Sequence, residues 1–287
     1  HGTHVAGIIA GECASGRAAR KLQNEMGETI TQIVDTGTMR GMAAQTKILS
    51  LKVLNDDGRG KVSNLIAALE YVQEVNGYGR RLKVHGVNLS VGYNFEPEWF
   101  ACGESPLCVE LNRLVRTGVL AVVAAGNTGY GYQATLSRGN VAAGLELSIN
   151  DPGNAESAIT VGSTHRESPH RYGVSYFSSK GPTGDGRMKP DLVAPGEKIL
   201  SCTSNQLAAP PKDGQGAVLP YREDSGTSMA APHVSGVIAA FLSIRREFIG
   251  NPEQVKALFV DNATDLKRAR AFQGSGLVDL MRAIQAI

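Results

Sequence analysis

Seven apolar residues in an unbroken row, Val119-Leu-Ala-Val-Val-Ala-Ala125, constrain this chain more than any other feature. A strand with one wet face alternates apolar and polar residues. A strand without polar positions must be covered on both faces, as happens in parallel sheets sandwiched between helices. The surrounding segments fit that arrangement. Lys47 to Val53, Val84 to Ser90 and Ala158 to Gly162 read as further strands, whereas Val62, Leu65, Ile66, Leu69 and Val72 recur at helical spacing. Leu107 to Arg116 is also helix-like. Strands alternating with helices predict an α/β fold, a three-layer αβα sandwich around a mainly parallel central sheet.

Two stretches read as loops: Glu12 to Arg40, which is polar, and Ser204 to Asp224, which is rich in Gly, Pro and Ala. Pro252 to Ile287 reads as two helices around Gly274-Ser-Gly276, with Pro252 in a first turn, where its missing N–H is harmless. Without an internal repeat or a clear linker, residues 1–287 are expected to form one domain.

Composition narrows the function classes. Twenty-nine Lys and Arg against 27 Asp and Glu give a net charge of +2, without the basic excess of a nucleic-acid binder. No uninterrupted run of about 18 apolar residues is present, so no membrane span is predicted. The four cysteines, Cys13, Cys102, Cys108 and Cys202, lack zinc spacing. Cys102 and Cys108 bracket a short segment able to turn back on itself, which suits either a disulfide or a reduced pair. The chain opens on His1, inside a motif, so a natural N-terminus further upstream is expected.

Three segments carry candidate chemistry. Ser225-Gly-Thr-Ser-Met-Ala-Ala-Pro-His-Val-Ser-Gly236 sets Ser228 among small residues ahead of an apolar helical run. Taken alone it reads as a capped helix start; a serine there also gains from the positive end of the helix dipole. His1-Gly-Thr-His-Val-Ala-Gly7 reads as a first helical turn, and its two histidines lack a third metal ligand at suitable spacing. Val122-Val-Ala-Ala-Gly-Asn-Thr128 ends the buried strand either in a simple turn or in an amide, Asn127, aimed at a developing negative oxygen.

Together and in this order, the three segments resemble the subtilisin-like serine proteases (subtilases). Gly41-Met-Ala-Ala44, Val87-Asn-Leu-Ser-Val-Gly92, Phe177-Ser-Ser-Lys-Gly-Pro182 and Lys189-Pro-Asp-Leu-Val-Ala-Pro-Gly196 are similar to further family segments, from residue 1 to about residue 265. The resemblance implies a serine endopeptidase working through an acyl-enzyme. Ser228 would be the nucleophile, His1 the general base and then acid, and Asn127 with the Ser228 N–H the oxyanion hole, supported by Thr227. Gly58, Arg59 and Gly60 on one side, and Ser90, Val91 and Gly92 on the other, would pair with the substrate backbone. Ala124, Ala125 and Gly126 would form one wall of a side-chain pocket. The implied partners are a polypeptide substrate and an upstream pro-segment, and secretion is the family's commonest address.

In the family the third triad member is an aspartate upstream of the histidine, and nothing precedes His1 in this sequence. Asp35-Thr36-Gly37 imitates its context from the wrong side, and coincidence is the expected explanation. Some subtilases bind calcium in a loop where Glu12 to Arg40 falls, yet this segment lacks a dense run of acidic ligands, and no cofactor or metal site is assigned. The alternatives are an inactive fragment or a subtilase-like binding module. A nucleotide-binding fold would need a glycine-rich phosphate loop after its first strand, and none has the required spacing.

Overall fold

The computed structural model describes residues 1–23, 29–96, 98, 101–135, 139–204 and 220–287. In chain order it forms α1 (Gly2–Ala10), β1 (Glu12–Cys13), β2 (Gly16–Gln23), β3 (Thr29–Thr36), β4 (Met39–Arg40), α2 (Val62–Val75), β5 (Gly86–Leu89) and α3 (Pro106–Arg116). Then come β6 (Leu120–Ala124), β7 (Tyr130–Thr135), β8 (Gly139–Gly144), β9 (Ile159–Thr164), α4 (Pro169–Tyr172), β10 (Leu192–Pro195), β11 (Ile199–Cys202) and β12 (Tyr221–Asp224). The chain closes with α5 (Thr227–Ile244), α6 (Pro252–Asp261), α7 (Arg270–Gln273) and α8 (Leu280–Gln285).

The unbroken apolar run is β6, inside a parallel sheet of order β10-β9-β6-β5. Its side chains alternate between two cores. Leu120, Val122 and Ala124 face α5, α6 and α8, with Ile159, Val161 and Leu192 from the neighbouring strands. Ala121 and Val123 face α2 and α3, with Leu89, Leu69, Leu111 and Leu114. This is the expected three-layer α/β sandwich. In the first core Phe241 of α5 meets Phe259 of α6 edge-on, with centroids 5.4 Å apart at 81°, an arrangement that adds about 0.5–1.5 kcal/mol beyond area burial.

The apolarity of α5 belongs to this core. At 18 residues and a mean hydropathy of 1.4 it is long and apolar enough to cross a membrane, but it packs on β5, β6, β9 and β10 inside the fold.

Several expectations need correction. Lys47 to Val53 joins no ladder: Ile48 and Leu49 are half exposed, and only Leu51 packs against the α2–α3 core. A strand needs a neighbour to exchange hydrogen bonds with, and this segment has none among the described residues. Glu12 to Arg40 is not a loop. β2 and β3 pair antiparallel from Gly16↔Thr36 to Gln23↔Thr29, and β2 also pairs parallel with β12, giving a second sheet of order β11-β12-β2-β3. Asp35 lies exposed in that ribbon, opposite Arg17.

Of the loop expected over Ser204 to Asp224, residues 205–219 lie outside the described residues and Tyr221–Asp224 is β12. The C-terminal part holds three helices, because the first expected one is split: α6 ends at Asp261 and helix resumes only at Arg270 as α7, which Gly274 (φ 62°) ends. No disulfide joins Cys102 to Cys108. Ser105 caps α3 by accepting the Cys108 N–H (3.4 Å), which commits Cys108 to a first turn facing the core. Burial pushes its thiol up to about 12.

Candidate active site

Helix α5 starts at Gly226, whose φ of 155° lies outside the range of L side chains. Asn127 follows the C-terminal end of β6 and reaches this helix start. Its Oδ1 accepts hydrogen bonds from the Thr227 N–H (2.9 Å) and the Thr227 hydroxyl (3.1 Å). Thr227 Oγ1 in turn accepts the Gly126 N–H (3.1 Å). Gly126 must be glycine twice over: its φ is 109°, and a Cβ there would sit 1.9 Å from Asn150 Oδ1. With its oxygen doubly engaged, the Asn127 carboxamide has a defined orientation. Its Nδ2 group and the Ser228 N–H have no protein partner among the described residues. Both are donors at the positive end of an 18-residue helix, the electrostatic arrangement that suits an oxyanion.

Ser228 is coupled to Ser90, just beyond β5. Its hydroxyl donates to the Ser90 carbonyl (3.1 Å), and the Ser90 hydroxyl donates to the Ser228 carbonyl (2.8 Å). The second bond has a covalent cause. Pro232, inside α5, lacks the N–H that would bond the Ser228 carbonyl four residues earlier, so that oxygen is left over. The Ser90 hydroxyl fills the vacancy and accepts from Asn88 Nδ2 (2.9 Å), fastening the nucleophile candidate to the sheet edge.

His1 is the N-cap of α1, and its carbonyl accepts the Val5 N–H at 3.1 Å. Helix α1 lies against α5 and β11. It is anchored by His4, whose Nε2 faces the carbonyls of Ile199 and Arg222 (3.1 Å each), and by Ser201 Oγ, which donates to the His4 carbonyl (2.8 Å). With two carbonyls as partners Nε2 carries the proton. Nδ1 is buried without a partner among the described residues, and burial holds the ring below the usual histidine pKa. The His1 ring itself is exposed. The Ser228 hydroxyl donates to the Ser90 carbonyl, and among the described residues neither it nor a carboxylate is hydrogen-bonded to the His1 ring.

Ala124 and Ala125 are buried beneath the site, Ala124 in the core under α5. Val91 is half-buried and Gly92 exposed, ahead of an antiparallel bridge between Tyr93 and Asp151. Gly58, Arg59 and Gly60 form an exposed turn organised by Asn55, whose Oδ1 accepts the Asp57 and Arg59 N–H groups, without a bond to Ser228 or Asn127. No group of three His, Cys, Asp or Glu among the described residues could hold a metal ion. Sequence reasoning missed the support behind Asn127. Thr128 Oγ1 lies 2.8–3.1 Å from Ser148 O, Asn150 Oδ1 and Ser179 Oγ, and Asn150 N–H donates to the Ala125 carbonyl (2.9 Å). Single polar residues spread over 51 positions, from Thr128 to Ser179, leave no local pattern to find.

The subtilase family profile matches residues 1–277. The chain belongs to the subtilase family. It is 31% identical to pyrolysin of Pyrococcus furiosus over 99% of its own length and 21% of pyrolysin's. It is 30% identical to the serine protease AprX of Bacillus subtilis, over 92% of its own length and 52% of the relative's. This subtilase therefore spans about a fifth and about half of these curated relatives. Among solved structures, the self-cleaved protease domain of PatA superimposes with a TM-score of 0.65 at 25% identity, covering all of this chain and 82% of that one. The parallel sheet with α5 beneath it is the subtilisin-like arrangement.

Proposed function

We propose that this subtilase is a serine endopeptidase, with Ser228 as nucleophile, His1 as general base and then acid, and Asn127 Nδ2 with the Ser228 N–H as oxyanion donors. The observation that carries this reading is the joint placement of Ser228 and Asn127 at one helix N-terminus, with two unpaired donors between them. Ser228 Oγ adds to the carbon of a peptide carbonyl held there, the π pair moves to the carbonyl oxygen beside the two donors, and its return breaks the C–N bond and leaves the acyl-enzyme. The hydroxyl leaves Ser90 as its proton passes to the His1 ring. That proton then goes to the departing amine, and water attacks the acyl-enzyme by the reverse path.

The triad acid lies outside residues 1–287 in this reading. One feature supports it beyond the bare His1 ring. Among the described residues β5 pairs on one side only and Lys47 to Val53 is unpaired, with Leu51 on the same α2–α3 core, which suits an intervening strand carrying the aspartate. Residues 1–287 alone then turn over about 3 × 10⁴-fold more slowly than the full-length protein, a magnitude that comes from subtilisin, a family member.

A fluorophosphonate, which esterifies an activated serine, tests the reading on the full-length protein. Labelling and peptide hydrolysis are expected, and Ser228→Ala should abolish both. Hydrolysis that survives Ser228→Ala refutes the assignment. The bare His1 ring also favours a second reading, a polypeptide-binding module without turnover. That module would bind peptide yet resist the fluorophosphonate.

A further inference from the structure

Three residues after Asn127 the chain enters a two-stranded hairpin, β7–β8, that among the described residues joins neither larger sheet. Its register sets Tyr130 opposite Gly144 and Tyr132 opposite Ala142. Residues directly opposite share a face, so both tyrosines and both small partners lie on one side. Glycine and alanine cannot cover an aromatic ring, and Tyr132 is 77% and Tyr130 48% exposed. Tyr176, 69% exposed, extends the row: its ring meets Tyr130 edge-on at 5.7 Å and Phe177 at 5.3 Å. The reverse face is served by Leu145, whose Cδ1 would lie 3.0 Å from a Cβ at Gly131.

The base of this row is fixed. The buried Lys180 ammonium donates to the Gly129 carbonyl (2.6 Å) and the Tyr176 carbonyl (3.4 Å), and it lies 5.1 Å from the centre of the Phe272 ring. It thus ties the start of β7 to the Tyr176 segment. The Gly129 N–H donates to the Phe177 carbonyl and the Leu145 N–H to the Gly129 carbonyl. The tyrosine row is therefore held at a set place, with Tyr130 three residues along the chain from Asn127, on a face without charge among the described hairpin residues. An isolated two-stranded hairpin buries little of its own surface, and three bare aromatic rings in a row mark a binding surface.

We propose that Tyr130, Tyr132 and Tyr176 form an outlying substrate subsite, which takes uncharged apolar or aromatic side chains of an extended polypeptide beyond the residues flanking the scissile bond. This rests on the endopeptidase reading of Ser228 and Asn127. The occupant is the substrate because the row begins where the oxyanion donor ends, so a chain long enough to leave the cleft past Asn127 meets it. Aromatic rings accept apolar side chains edge-on or stacked without a charged partner.

The test uses the full-length protein carrying Ser228→Ala, to prevent turnover, and two fluorescent 12-residue peptides. The peptides are identical over their central four residues and carry either Phe or Ser at the outer positions. The Phe peptide should bind about tenfold more tightly by fluorescence anisotropy. Tyr130→Ser with Tyr132→Ser should remove that preference, whereas Tyr132→Phe should keep it. An unchanged preference in the double variant overturns the proposal. So does a double substitution that converts a dimer to a monomer in sedimentation, because the occupant is then a second copy of the chain. Fluorophosphonate labelling of the protein with Ser228 intact is scored separately. Absent labelling defeats the endopeptidase reading, while the anisotropy preference decides the subsite.

Discussion

Thr227→Val is the sharpest probe of how the candidate oxyanion site is held. The change keeps shape and removes one buried hydroxyl, which joins two groups. Thr227 Oγ1 accepts the Gly126 N–H and donates to Asn127 Oδ1, each at 3.1 Å, in a residue without exposed surface. Valine leaves the Gly126 N–H without its acceptor, a loss of about 1–3 kcal/mol in stability. The Asn127 carboxamide keeps its other tether, the Thr227 N–H at 2.9 Å. Losing one neutral hydrogen bond removes about 1 kcal/mol of orientation, or about fivefold in kcat. Removing the amide with Asn127→Ala should lower kcat by about 10²–10³, a magnitude that comes from subtilisin, a family member. The assay pairs urea unfolding with kcat and KM on a chromogenic peptide, using full-length protein. Thr227→Val should lower kcat and leave KM near wild type, and Thr227→Ser, which keeps the hydroxyl, should restore both kcat and stability. A Thr227→Val enzyme that loses stability but keeps kcat within about twofold would refute the tether.

Three further outcomes follow from the same structure. Burial holds the His4 and His233 rings below the usual histidine pKa, so the unfolded chain binds more protons than the folded one; their contribution is complete above about pH 6.5 and is lost as pH falls further. Thermal unfolding between pH 8 and 5 should show this loss, and His4→Asn should reduce it; a pH dependence unaltered by His4→Asn would contradict the assignment. Asp191→Asn should destabilise by about 3–5 kcal/mol in urea, because it strands the buried Lys189 ammonium 2.8 Å from the Ala158 carbonyl alone. Lys189→Met should cost less, since Asp191 keeps Lys256 at 3.1 Å and the Thr160 N–H at 2.7 Å, and the reverse order would sink the argument. Met229 is 2% exposed against 53% for Met188 and 61% for Met281, so limiting peroxide should oxidise those two first by mass spectrometry, with activity falling only as Met229 follows.

The legible parts of this chain were those where one physical demand acts on consecutive residues. A strand covered on both faces must be apolar throughout, so Val119 to Ala125 announced the sheet and, through it, both helical layers. A candidate nucleophile at a crowded helix start needs small neighbours, so Ser228, set among Gly226, Thr227, Ala230 and Ala231, stood out. What stayed hidden depends on partners far away in sequence. Thr29 to Thr36 becomes β3 only because β2 lies beside it and β12 beyond. Lys47 to Val53 has the pattern of a strand and lacks, among the described residues, the neighbour that would make it one. The pairing of Cys102 with Cys108 was open in the sequence, and the Ser105 cap decides it by turning Cys108 into the core.

The site depends on irregularity more than on ideal helix geometry. A regular α5 would bond the Ser228 carbonyl to a backbone N–H four residues later, and Ser90 would have no oxygen to hold. Pro232 removes that N–H and so creates an acceptor one residue from the free donors of the helix start. Ser90 meets it from the sheet edge, while its own carbonyl takes the Ser228 hydroxyl. The two residues are locked in both directions. Ser90→Ala should therefore do more than delete a hydrogen bond: it leaves the Ser228 carbonyl without its partner and frees the first turn of α5 to shift against β5. Such a shift carries Ser228 Oγ away from the Ser90 carbonyl and disturbs the Thr227 bonds that orient Asn127, since Thr227 belongs to the same turn. Misplacement of a reacting atom by about 1 Å can lower turnover about 10²-fold, so kcat should fall well beyond the fivefold expected for Thr227→Val. Ser90→Thr, which keeps the hydroxyl, should recover much of it. Equal kcat in Ser90→Ala and wild type would show that the first turn of α5 is held by its packing and not by this exchange of hydroxyls and carbonyls.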